Sequence, residues 1–173
     1  MGQLKLIKKI FKNASYTILG DVNQTINPYY KYDSLEDLVK VFDGSKYIEL
    51  TKTYRSSEEI IEFSNRVLGL NHVTAIRRGS NVPVIEKEET SLYDDLILDI
   101  EECKKHGKSI AIVTKNDSEC DKIYKLLKDI GISKVDNNTK KFNRKFIVVP
   151  VYMAKGLEFD NVVLFMTSSI DIT

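Results

Sequence analysis

Short, nearly unbroken apolar runs alternate along this chain with stretches in which apolar residues recur every three or four positions. The runs are YTIL (16–19), YIEL (47–50), VPVIE (82–86), SIAIV (109–113), FIVVPV (146–151) and NVVLFM (161–166). Each has strand length, and apolar runs of this kind suit strands of a sheet covered on both faces. The periodic stretches predict helices. Ser56 and Glu59 form a capping box ahead of EEIIEFSNRVLG, where Ile60, Val67 and Leu68 share a face and Gly69 is the stop. Asn116 and Glu119 open a second helix, with Ile123, Leu126, Leu127 and Ile130 at helical spacing before Gly131. Leu92, Leu96, Ile100 and Cys103 mark a third that ends near Gly107, and Leu35, Leu38, Val39 and Phe42 a fourth between Ser34 and Gly44. Alternation of strand and helix predicts βαβ units on a mostly parallel sheet with right-handed crossovers. The polar, basic segment 136–145 is a loop or hairpin tip.

Composition narrows the class without naming a partner. At 173 residues the chain is long enough for one substantial core, so one domain is the default. Hydrophobic residues at 42% and charged residues at 29% are ordinary globular values. With 26 basic against 25 acidic side chains there is no overall electrostatic signature for nucleic acid, and such a partner must be met locally. Cys103 and Cys120 have neither metal-ligand spacing nor a disulfide-rich context, which suits a reducing compartment. The N-terminal MGQLKLIKKIFKNAS carries charges every few positions, so it is not a secretory signal, and no run approaches a membrane span. Gly2 stands in the myristoylation position, but Leu6 occupies the place of the required Ser or Thr. These features predict a cytoplasmic protein with no membrane partner.

In open sheets of this class, ligands sit at the carboxyl ends of strands. GDVNQTINPYY follows YTIL, TKTYRSSEE follows YIEL, and YMAKGLEF follows FIVVPV, so the fold prediction puts all three on one rim. Asp21 suits a strand-end carboxylate and Gln24 a group that positions water or a phosphate oxygen; the same stretch also suits a turn held by Asp and Asn side chains. Tyr29 and Tyr30 fit base stacking or half-buried packing. Arg55 precedes a helix, where positive charge disfavours the helix but favours an anion; a surface pair with Glu58 or Glu59 is the alternative. Lys155 and Glu158 flank Gly156 inside a largely apolar stretch, which marks either a site or a tight connection with two solvated charges. Gly107-Lys108-Ser109 imitates the tail of a phosphate-binding loop, but residue 102 is Glu and the tripeptide ends a helix and opens a strand. His72 and His106 have no triad arrangement, and the acidic helix at 93–102 is a solvated face.

In order, GDVNQTI, TYRSSEEIIEFSN and PVYMAKGLEFDNVVLF are similar to the third, fourth and fifth motifs of superfamily 1 helicases of the UvrD/Rep type. SIAIVTKNDSECDKIYKLLKDIGI resembles the strand and helix between the last two, so the likeness covers well over half of the chain. Tyr152, where the usual form has histidine, brings the wording closest to the HelD-like branch, whose members act on RNA polymerase. The resemblance implies a RecA-like three-layer α/β domain with a mostly parallel sheet flanked by helices. It also implies roles: Gln24 senses the γ-phosphate, Arg55 is the arginine finger, Gly156 and Glu158 contact nucleotide, Tyr29 stacks on a base, and Tyr152 and Lys155 approach nucleic-acid backbone.

The family's phosphate-binding loop and magnesium carboxylates would precede its third motif, and its sixth motif would follow residue 173. The resemblance therefore implies a piece of a longer ATP-dependent DNA helicase: residues 1–30 a strip of the first RecA-like lobe, and 31–173 the second lobe cut before the sixth motif. ATP and Mg2+ would serve the longer protein, with no metal ligand and no tightly held cofactor in this piece, which would be inactive alone. Its partners would be single-stranded DNA and the missing first lobe. In an alternative reading the parent is a HelD-like factor that remodels RNA polymerase.

Overall fold

The computed structural model describes residues 2–21, 35–70, 73–79, 84–86, 92–137, 139 and 145–166. The chain is α/β and forms two compact units, Met1–Glu86 and Lys87–Thr173. The boundary expected at residue 30 lies outside the described residues.

The first unit contains helix α1 (Gly2–Ile10), a single 3-10 turn at Leu35–Leu38, strand β1 (Lys52–Thr53), helix α2 (Glu58–Leu68) and strand β2 (Thr74–Ala75). β1 and β2 pair in parallel, with Lys52 opposite Thr74 and Thr53 opposite Ala75, so α2 is the crossover of a βαβ unit. Gly69 ends α2 with φ 65°, a left-handed conformation that glycine adopts without a Cβ penalty. The start of α2 departs from the expected capping box: the cap is Ser57, one residue on, and its side chain makes no capping bond. Its inward residues are Ile61, Phe63 and Val67, while Ile60 and Leu68 are exposed, so the expected apolar face is displaced.

The fourth expected helix is only the 3-10 turn followed by turns to Gly44. Short helices do not sustain themselves without a packed face, and Phe42, packed 5.0 Å from Tyr16, is the one buried hydrophobic residue among the described residues of this unit. YTIL and YIEL are not strands either; both lack regular structure and have no strand partner among the described residues, with Leu19 86% and Leu50 80% exposed. The strand begins two residues after YIEL, and of VPVIE only 84–86 are described, without regular structure.

The second unit follows the sequence pattern closely. Helix α3 (Leu92–His106) leads to strand β3 (Ile110–Thr114), helix α4 (Asp117–Leu127) with a 3-10 turn at Lys128–Ile130, strand β4 (Ser133–Lys134), strand β5 (Phe146–Pro150), helix α5 (Val151–Ala154) and strand β6 (Asn161–Phe165). The order β4-β5-β3-β6 is parallel throughout. Ile112, Val148 and Val163 stand opposite one another on one face, and Ala111, Ile147 and Val162 on the other. On the first face, Leu96 and Ile100 of α3 and Cys120, Ile123 and Leu127 of α4 complete a buried cluster. On the second, Val135, Met153, Ala154, Leu157 and Phe159 pack against Ala111, Ile147 and Val149. Two helices, the sheet, and α5 with its following turn make the RecA-like three layers.

Burial on both faces explains why β3 and β5 read as continuous apolar runs. Burial of β6 alternates, with Val162 and Leu164 exposed. The α4 cap is as expected: Asn116 accepts from the Glu119 amide at 3.0 Å, and Glu119 accepts from the Lys115 amide at 3.0 Å.

Candidate functional site

The connection from β5 to β6 carries the expected residues of this unit. Pro150 ends β5 with φ −70°, where a fixed φ and a missing N–H suit the entry to a helix. After one turn, Lys155 leaves the helix at φ −57° and ψ 124°, Gly156 takes φ 83°, and the Leu157 amide donates to the Ala154 carbonyl at 3.0 Å. Ala-Lys-Gly-Leu is thus a type II β-turn, whose third position requires positive φ. A Cβ at Gly156 would meet nothing within 4 Å, so the demand for glycine is one of backbone alone, worth about 1–2 kcal/mol. Beyond the turn, Leu157 and Phe159 point into the core while Glu158 is exposed. The charges of this apolar stretch therefore occupy its outward positions.

Both ends of the connection are anchored. At the carboxyl ends of β3 and β5, the Tyr152 hydroxyl donates to Asp117 at 2.9 Å, and the Asn137 amide approaches the phenol oxygen at 3.4 Å. The bond to the Asp117 carboxylate, with a smaller contribution from burial, raises the phenol pKa above its ordinary value. On the same side, Lys134 ends β4 between Asp121 at 2.6 Å and Asp136 at 3.3 Å, and the Asp121 bond above all pushes its ammonium up to about 12.

At the amino end of β3, Asp160 Oδ2 accepts from the Lys108 amide at 2.9 Å and from the Ser109 amide and hydroxyl at 2.8 Å each. Ser109 Oγ accepts in turn from the Asp160 amide at 2.9 Å. A Cβ on Gly107 would lie 2.4 Å from that of Asp160, so this approach needs glycine. Gly107-Lys108-Ser109 thus joins α3 to β3 and binds a carboxylate of its own chain.

Bonds from Ser109 and then from the two amides hold the Asp160 carboxyl below its ordinary 3.8. A depressed carboxyl contributes stability that is fully present above the unfolded pKa and lost as pH falls through the folded one. Asp160→Asn is expected to be less stable than the wild type at neutral pH and to show a smaller loss on acidification below about pH 4. Urea midpoints measured across that range check this, and parallel curves for the two proteins would refute it.

Tyr152, Lys155, Gly156 and Glu158 thus share one connection, but not one rim. The connection leaves the carboxyl end of β5 and returns to the amino end of β6, so Glu158 lies two residues from the Asp160 tie, away from the strand ends where the sequence pattern put it. Arg55 belongs to the other unit, exposed on the turn between β1 and α2, with its amide 3.4 Å from Thr53 Oγ1. Gln24 and Tyr29 lie outside the described residues; Asp21 is described and exposed. Asp117, Asn137, Ser109 and Asp160 were not anticipated. Asp160 and Ser109 are 51 positions apart, a separation that no local pattern bridges.

Among the described residues no group of three or more His, Cys, Asp or Glu side chains is placed to hold a metal, and no helix is long and apolar enough to cross a membrane. Compared with models of known protein families and with curated proteins, the chain gives no match.

Proposed function

We propose that this chain is the nucleotide-cleft and nucleic-acid-contacting lobe of an ATP-dependent superfamily 1 DNA helicase or translocase, working together with a lobe that carries the phosphate-binding loop. The observation that carries the reading is the Ala154–Leu157 turn, which sets Lys155, Gly156 and Glu158 outward on a connection between parallel strands. These are the residues through which the resemblance assigns nucleotide and backbone contacts. Arg55, exposed where a strand passes into a helix, is the second support.

A third support is the apolar surface of the first unit. Leu19, Ile48 and Leu50 are exposed by 86%, 66% and 80%, in runs whose composition is that of buried strands. In the longer protein the YTIL run would join the sheet of the first lobe, and the YIEL run that of the second.

ATP binding would draw the two lobes together and hydrolysis would part them, so that each cycle advances the protein along a single strand. The chain alone lacks the cradle of amides and the lysine that grip triphosphate, and is expected to show no ATP hydrolysis. A coupled-enzyme assay of the purified 173 residues tests this. Turnover that Arg55→Ala abolishes would overturn the partial-lobe reading.

The HelD-like alternative rests on the sequence alone: Tyr152 stands in the place of the usual histidine. In that reading the same motor displaces RNA polymerase. Capture of polymerase by the longer protein without strand separation would favour it.

A further inference from the structure

We infer that α1 and the 35–44 turn form a groove that binds the phosphodiester backbone of single-stranded nucleic acid, at a place distinct from the Tyr152–Glu158 connection. The inference rests on the proposed function only in naming the polyanion.

Lys5, Lys8, Lys9, Lys12, Lys40 and Val41 line an open groove of about 410 Å³ in the first unit. Two of the lysines build it: Lys8 donates to the Val41 carbonyl at 2.6 Å and lies 3.8 Å from Asp43, while Lys40 pairs with Asp37 at 2.5 Å. Lys5, Lys9 and Lys12 make no hydrogen bond or ion pair among the described residues. Three lysine side chains thus line one concavity without an ion-pair partner among the described residues.

Their spacing suits a linear polyanion. Lys5, Lys8 and Lys9 lie on one side of α1, with Lys5 and Lys9 about 6 Å apart along its axis, and Lys12 follows just beyond its end. Lysine is a point charge without the planar fork that reads a base edge, so the groove binds backbone without regard to sequence.

A lipid surface fits less well. At about 100° per residue the lysines centre on the side of α1 opposite Ile7 and Ile10. A bilayer taking up those apolar side chains would leave the lysines facing away, and a plane cannot enter the groove beside Val41. The exposed apolar side therefore addresses something other than the ligand of the groove.

The test is fluorescence anisotropy of a labelled oligo(dT) titrated with the 173-residue chain over a salt series. The key variant is Lys5→Gln/Lys9→Gln/Lys12→Gln, which spares the two lysines that hold the groove together; circular dichroism reports its folding, and Lys5→Glu/Lys9→Glu/Lys12→Glu is the stronger second variant. Removing three contacts should make the slope of log affinity against log salt shallower by about two and weaken binding about tenfold or more at about 50 mM salt. Charge reversal should weaken it further, and oligo(dA) should bind like oligo(dT).

Unchanged affinity and slope would overturn the inference, as would absence of binding by the wild type. So would a triple variant that loses phosphatidylserine vesicles but keeps the oligonucleotide. Lys155→Ala separates the two ideas. Weakening by Lys155→Ala alone removes the groove and leaves the proposed function in place. Weakening by the triple variant alone supports the groove and counts against the backbone contact of Lys155.

Discussion

Under the proposed function, Arg55→Ala in the longer protein is expected to cut ATP turnover by about 10³–10⁵-fold, the range for removal of an arginine finger, with a far smaller change in nucleotide affinity. The asymmetry follows from timing: a guanidinium that meets charge developing on the transferred phosphoryl group stabilises the transition state more than bound ATP. Arg55 sits on an exposed turn between β1 and α2, where a cation opposes the helix dipole. Were it only the partner of Glu58 or Glu59, its loss would change stability by about 0–1 kcal/mol and leave turnover intact. Arg55→Lys should recover little, because a lysine keeps the charge but loses the planar fork. Steady-state turnover and nucleotide titration of the three proteins separate these cases.

The largest effect on folding is expected at Leu127. Its side chain is fully buried at the end of α4, in the cluster with Leu96, Ile100, Ile112 and Val148. Leu127→Ala removes apolar contact and leaves a void that strands and helices fixed on three sides cannot close, at a cost of about 2–5 kcal/mol. That is a large share of the net stability of an ordinary domain. Leu98→Ala is the control, since Leu98 on α3 is 61% exposed and its truncation should stay within about 0.5 kcal/mol. Urea unfolding followed by circular dichroism gives both values, and equal midpoints for the two variants would contradict the described core.

The second unit was legible because its central strands are buried on both faces. Runs such as IAIV and FIVVP have no other comfortable place, and the Asn116–Glu119 cap fixed the start of α4 to the residue. YTIL and YIEL have the same composition without becoming strands, because a strand is a property of pairing and neither run has a partner among the described residues. Two consecutive serines at 56 and 57 made the start of α2 ambiguous, and the extended backbone of Ser57 decides it. The Lys155-Gly156 turn could be suspected from its glycine. What holds that turn in place could not, since Tyr152–Asp117 and Asp160–Ser109 join residues 35 and 51 positions apart. The same limit kept Glu158 from its true end of the sheet. The groove lysines were visible as charges, but their common concavity depends on where the 35–44 turn lies beside α1.

The central proposal, that the Arg55 turn and the Lys155–Glu158 turn each contact nucleotide, is tested most directly by amide hydrogen exchange of the longer protein with and without a non-hydrolysable ATP analogue. The account predicts slower exchange at 54–57 and at 155–158 together, at the same analogue concentration. Saturating analogue that leaves both segments unchanged, or protects one while the other exchanges as before, would contradict it.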